Sequence, residues 1–101
     1  MPNPFEVVKT SREVTLTLRG SLDINSAAQL AEEIDKIIAG KVKKVVVNMA
    51  ELDLIDSSGV AALVKLYKGV RGANGGFVMT GVRDQPLAIF KLLRLDKVFN
   101  L

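Results

Sequence analysis

Two short polar clusters carry the side chains of this chain that could take part in chemistry. Asp56-Ser57-Ser58-Gly59 lies between the apolar run at residues 45–47 and a helical pattern that begins at Val60. Asp23-Ile24-Asn25-Ser26 lies between an alternating apolar run and an earlier helical pattern. The carboxyl ends of parallel strands meet at one edge of an open α/β sheet, so we expect the two clusters to be neighbours in space.

The cluster at residues 56–59 offers one carboxylate and two consecutive hydroxyls at the start of a helix. Helix capping contributes about 1 kcal/mol per residue and could by itself explain residues 23–26. Residues 56–59 offer more polar groups than a cap requires, and we expect Gly59 to leave the approach to Ser57 open. Two registers remain possible from the sequence: either Asp56 is the N-cap and the Ser57 hydroxyl is free, or Ser57 is itself the cap.

Catalytic chemistry at this cluster is disfavoured because the chain contains neither histidine nor cysteine. The usual general base, the histidine triads and thiolate metal sites are therefore absent. The sequence has no Gly-x-Ser-x-Gly elbow or phosphate-binding Gly-Lys-Ser/Thr loop, and Lys65 lies two helical turns from Ser57. A phospho-aspartate at Asp56 would need more carboxylates than Asp23 to hold a metal ion. We predict no enzymatic activity, no cofactor and no metal site, and interpret Ser57 as the substrate of another enzyme.

The charge balance is mildly basic, with 14 Lys and Arg residues against 11 Asp and Glu residues, a net charge of +3. The basic residues are dispersed and few aromatic residues lie among them, whereas single-stranded nucleic acids bind to aromatic stacking platforms. Nucleic-acid binding is therefore a weak third hypothesis, and we interpret the charges as solvated surface. No apolar run approaches the roughly 20 residues of a membrane span, and residues 1–4 do not resemble a secretory signal. We predict a cytoplasmic protein without membrane insertion.

The elements that position the two clusters follow from the hydrophobic periodicity. Strands that alternate with helices imply parallel pairing through right-handed crossovers, whereas the first two strands are expected to form a hairpin. We predict one small α/β domain with a mixed, mostly parallel sheet of about five strands and three or four helices. The predicted strands are 5–9, 14–19, 45–47, 77–80 and 97–101, and the predicted helices are 27–38, 58–71 and 87–95.

Cap and turn residues predict where several elements begin and end. Gly20 is expected to end the second strand, and Ser26 with Gln29 fits a capping box at the first helix. Gly40 suits the left-handed position just past that helix. The continuous β-branched run at residues 45–47 is typical of a strand that is buried on both faces.

The chain resembles STAS-domain proteins of the bacterial anti-sigma factor antagonist type. The resemblance covers essentially the whole chain and implies a single STAS domain over residues 1–101, with a right-handed βα superhelix. The similar segments are residues 18–23 (Leu-Arg-Gly-Ser-Leu-Asp), 47–52 (Val-Asn-Met-Ala-Glu-Leu), 55–59 (Ile-Asp-Ser-Ser-Gly), 75–76 (Gly-Gly) and 93–99 (Leu-Arg-Leu-Asp-Lys-Val-Phe).

The resemblance implies a function in partner switching. Such antagonists bind an anti-sigma factor that is also a serine kinase with an ATPase-like fold, and this binding frees the sigma factor. The kinase would phosphorylate Ser57 and then be released, and a PP2C-type phosphatase would restore the antagonist. The partner-binding surface would comprise Asp23, Asn25, Ser26, Asp56, Ser57, Ser58 and Gly59. The alternative is a STAS scaffold subunit that is not phosphorylated, for example in a lipid-transport ABC complex.

Overall fold

The computed structural model describes residues 4–101, which form four strands and three helices. The strands lie in the order β1-β2-β3-β4, with β1 antiparallel to β2 and with β2, β3 and β4 parallel. The predicted α/β class and the mixed, mostly parallel sheet are confirmed. The elements are β1 (Phe5–Lys9), β2 (Glu13–Leu22), α1 (Ile24–Ala39), β3 (Lys44–Ile55), α2 (Ser57–Gly72), β4 (Gly76–Thr80) and α3 (Asp84–Leu92).

The core lies on one face of the sheet. Alternate residues of the central strands, such as Leu16 of β2 and Val47 of β3, are fully buried, and all three helices contribute to the same apolar cluster. On the opposite face, Val46 is half-buried and its β4 neighbour Val78 is exposed. The expectation that residues 45–47 are buried on both faces is therefore wrong, because the described helices cover only one side of the sheet.

Three predicted element ends shift in the structure. Gly20 does not end β2, because its positive φ of 69° lets the strand continue to Leu22 through register shifts against β3. Gly40 keeps a right-handed φ of −73°, and Lys41 takes the positive φ beyond α1 instead. The helix itself begins earlier than predicted, with Asp23 as its N-cap.

The predicted last strand at residues 97–101 is wrong, so the described sheet has four strands. The Phe99 N–H donates to the Leu95 carbonyl at 2.9 Å and the Leu101 N–H donates to the Asp96 carbonyl at 2.7 Å. These local turn bonds use backbone groups that a strand would need for its ladder. Phe99 is buried and packs edge-to-face against Phe90, with ring centroids 5.3 Å apart. The apolar pattern of this segment therefore reflects the burial of Phe99 in the core and not a strand.

Candidate functional site

The two polar clusters meet at the carboxyl edge of the sheet, as the sequence predicts. Leu22 pairs with Ile55 at the ends of β2 and β3, and each strand is followed within two residues by a helix. The Asp56 N–H donates to the Leu22 carbonyl at 3.1 Å, which ties the start of α2 to the end of β2. Asp23 and Asp56 consequently line the same cleft, which has a volume of about 320 Å³.

The Asp23 cluster forms a capping box at the start of α1. The Asp23 carboxylate accepts the N–H groups of Asn25 at 3.0 Å and Ser26 at 3.1 Å. The Ser26 Oγ accepts the Asp23 N–H at 2.9 Å and donates to the Ser21 carbonyl at 3.0 Å. Hydrogen bonding, first of all from the Ser26 N–H, holds the pKa of Asp23 below its ordinary value.

The capping box changes one prediction about this cluster. The N3 partner is Ser26 rather than Gln29, because the helix begins three residues earlier than expected. Ser26 is also buried with its hydroxyl engaged, so its side chain supports the start of α1 from inside. Asn25 is exposed, and Asp23 is half-buried at the cleft.

The start of α2 resolves the register of Ser57. Asp56 is the N-cap: its carboxylate accepts the Gly59 N–H at 3.0 Å, and its carbonyl accepts the Val60 N–H at 3.0 Å. Ser57 is therefore the first helical residue, and it is exposed. Within residues 4–101 its hydroxyl has no hydrogen-bond partner, and neither do the N–H groups of Ser57 and Ser58. This arrangement leaves an accessible hydroxyl beside open donors at the positive end of a helix.

Gly59 serves close packing and does not open the approach to Ser57, which corrects the expectation from the sequence. The residue is buried, and a Cβ there would lie 2.6 Å from the Leu22 carbonyl oxygen and 2.8 Å from Ile55 Cγ1. The first turn of α2 therefore sits directly on the end of β2 with no room for a side chain. Ser58 is half-buried beside it.

Two side chains that the sequence reasoning missed hold the far end of β3. The strand pairs with β4 only as far as Asn48, which leaves its last residues without a neighbouring strand on that side. Gln85 accepts the Ile55 N–H at 2.9 Å and donates to the Ile55 carbonyl at 3.0 Å. Arg83 donates to the Ala50 carbonyl from Nε at 2.9 Å and from Nη2 at 2.7 Å. No pattern in the sequence distinguishes these residues from ordinary surface side chains.

Exposed apolar side chains flank both helix starts. Ile24 is 67% exposed and Leu54 is 54% exposed. Apolar side chains exposed beside polar groups are typical of protein-binding surfaces. Among residues 4–101, no group of three His, Cys, Asp or Glu side chains is arranged to hold a metal ion. The helices of that part of the chain are also too short or too polar to cross a membrane.

Comparison with known proteins agrees with this architecture. The family model described as the STAS domain matches residues 4–101. The fold is similar to that of SpoIIAA, a Bacillus cell fate determinant solved in its phosphorylated form, at 23% identity and a TM-score of 0.77 over 92% of this chain and 86% of that one. An anti-sigma factor antagonist from Mycobacterium paratuberculosis is 20% identical with a TM-score of 0.79 over 94% and 80% of the two chains. A sulfate transporter family protein from Wolinella succinogenes is 20% identical with a TM-score of 0.72 over 93% and 75%.

Proposed function

The chain belongs to the STAS domain family, and we propose that within it the chain acts as an anti-sigma factor antagonist switched by phosphorylation of Ser57. The observation that carries this proposal is the exposed Ser57 hydroxyl, which has no hydrogen-bond partner among residues 4–101 and lies at the first position of α2. The similarity to an antagonist and to a protein solved in a phosphorylated form supports it.

The position of Ser57 makes phosphorylation compatible with the fold. A phosphate adds roughly −1.5 to −2 charges and three acceptor oxygens. At the start of α2 these oxygens face the positive end of the helix and the open N–H groups of Ser57 and Ser58. The modification therefore changes the charge of a binding surface while leaving the packing of α2 intact.

The proposed partner is an anti-sigma factor that is also a serine kinase with an ATPase-like fold. Asp23, Asn25, Asp56 and Ser58 lie around the acceptor and would form the contact surface, with Ser26 and Gly59 supporting it from inside. Binding of the kinase would free its sigma factor, and phosphorylation of Ser57 would end the complex. A PP2C-type phosphatase would restore the antagonist, which carries out no reaction of its own.

Mapping the phosphate tests the acceptor. The protein is incubated with its cognate serine kinase and ATP, and the modified residue is located by mass spectrometry. We expect phosphate on Ser57, none on the Ser57→Ala variant, and normal labelling of the Ser58→Ala control. Phosphorylation that survives Ser57→Ala would refute the assignment.

Calorimetry of the kinase complex tests the switch. Ser57→Asp should weaken binding by at least about 1–2 kcal/mol, roughly tenfold, because it places a carboxylate at the contact. Ser57→Asn has a similar size without the charge and is the matched control. Equal affinities of the two variants for the kinase would show that charge at residue 57 does not control binding of the partner.

A second candidate function is a scaffold in a transport complex, which the similarity to a sulfate transporter family protein favours. In that case Ser57 would not be phosphorylated in cells, and the chain would copurify with an ABC transporter ATPase rather than with a serine kinase. Affinity purification from the native organism, with Ser57 occupancy measured in the same sample, separates the two functions.

A further inference from the structure

A groove of about 730 Å³ runs along the exposed side of α2 and begins at Ser57. Its lining residues recur every three or four positions from Ser57 to Gly69. At 1.5 Å per residue this stripe is about 18 Å long. Leu93, just beyond α3, lies across from the stripe and is 51% exposed.

The groove is apolar along its length and favours negative charge at both ends. Val60 and Val64 contribute to the apolar lining, and the positive end of α2 lies at one end. Lys65 and Lys68 line the other end. Lys65 pairs with Asp35 at 2.9 Å, whereas Lys68 has no ion pair among residues 4–101 and is the cation available to a ligand.

We infer that this groove binds an acidic amphipathic helix of the partner protein. A helix of about 12 residues matches the length of the stripe, and its apolar face would cover Ala61, Val64 and Leu93. Its acidic side chains would face Lys68 and the start of α2. The inference rests on the proposed function, because the groove is continuous with the surface around Ser57.

The same geometry gives a physical route from phosphorylation to release. A phosphate on Ser57 would place roughly two negative charges at the end of a groove occupied by an acidic segment. Juxtaposed like charges weaken a complex and shorten its lifetime. The helix in the groove would therefore be repelled at the residue that the kinase modifies.

Two designed peptides test the groove without the kinase. One is an amphipathic helix of about 12 residues made of leucine and glutamate, and the other has lysine in place of every glutamate. In NMR titrations we expect the glutamate peptide to shift the amide signals of Ala61, Lys68 and Leu93, and to bind at least about tenfold more tightly than the lysine peptide. Absence of these shifts, or equal binding of the two peptides, would overturn the inference.

Matched substitutions on the groove and beside it locate the binding. Leu93→Ser and Lys68→Glu should each weaken the glutamate peptide about tenfold. The controls are Leu92→Ser, at a residue that is 76% exposed and outside the groove lining, and Arg71→Glu, on the same helix but also outside it. Equal losses in the groove variants and the controls would refute the site.

The kinase assay separates this inference from the proposed function. If wild-type protein is phosphorylated on Ser57 while Leu93→Ser and Lys68→Glu keep an unchanged KM, the groove inference fails and the proposed function stands. If the glutamate peptide binds as expected but Ser57 is never phosphorylated, the inference about the groove is supported and the proposed phosphorylation of Ser57 is refuted. A raised KM in both groove variants, with normal values for Leu92→Ser and Arg71→Glu, supports both.

Discussion

Replacing Gly59 with alanine tests whether the acceptor helix is held by close packing against β2. The added Cβ would lie 2.6 Å from the Leu22 carbonyl oxygen, 2.8 Å from Ile55 Cγ1 and 2.9 Å from Leu22 Cγ. The carbonyl is backbone and already accepts the Asp56 N–H, so it cannot move without shifting the end of β2. Overpacking of this kind costs about 1–3 kcal/mol, against a gain of about 1 kcal/mol in helix propensity. Because the nearest atom is a backbone carbonyl rather than the end of a flexible side chain, the cost lies in the upper part of this range, at about 2–3 kcal/mol. We therefore expect a net loss of about 1–2 kcal/mol in the free energy of unfolding.

Gly72→Ala is the matched control, because it lies in the last turn of the same helix and its Cβ would meet nothing within 4 Å. We expect this variant to gain up to about 1 kcal/mol from helix propensity. Urea unfolding followed by circular dichroism measures the stability of both variants. With a typical dependence of the unfolding free energy on urea concentration, the unfolding midpoint of Gly59→Ala should fall by about 1 M relative to wild type. A Gly59→Ala midpoint at or above the wild-type value would refute the packing argument.

Three other substitutions test separate contacts. Gln85→Leu should lower the free energy of unfolding by about 1–3 kcal/mol, because the N–H and the carbonyl of Ile55 both lose their hydrogen-bond partner. The same loss should accelerate hydrogen exchange of the Ile55 amide, and unchanged exchange would contradict this. Asp23→Asn keeps a cap but removes the charge. Because the pKa of Asp23 is lowered in the folded state, its carboxylate stabilises the fold at neutral pH and this contribution disappears as pH falls through the folded pKa. The stability difference between wild type and Asp23→Asn should therefore shrink as the pH falls from neutral through the folded pKa of Asp23, and a constant difference would count against it. Phe99→Ala should cost about 3–5 kcal/mol in thermal or urea unfolding, and a loss under about 1 kcal/mol would argue against Phe99 as a core anchor.

Local patterns in the sequence predicted most of the elements that build the site. The predicted first strand matches the observed bounds of β1, the alternation at residues 14–19 falls within β2, and the helical spacing after Val60 predicted the start of α2 within one residue. Cap chemistry placed both polar clusters at helix starts: Asp56 is one of the two caps that the sequence allowed, whereas α1 begins three residues before its predicted start and is capped by Asp23. These predictions succeed because strand alternation and capping depend on residues only a few positions apart.

Contacts between distant segments account for what the sequence reasoning missed. The turn at residues 97–101 was predicted as a strand because its apolar spacing suits either state, and only the packing of Phe99 against Phe90 distinguishes them. The hydrogen bonds of Gln85 to Ile55 span thirty positions, and no local pattern encodes them.

The sequence by itself determined that Ser57 stands at the start of a helix in an α/β domain without histidine or cysteine. The tertiary structure decided which of the two possible caps is used, because the Asp56 N–H bonds to the Leu22 carbonyl of a separate strand, and it left the Ser57 hydroxyl exposed. It also decided that Gly59 is needed for packing against Leu22. The physical reason is that residue type and spacing govern hydrogen bonds within one helical turn, whereas exposure and close approach depend on how separate strands and helices meet.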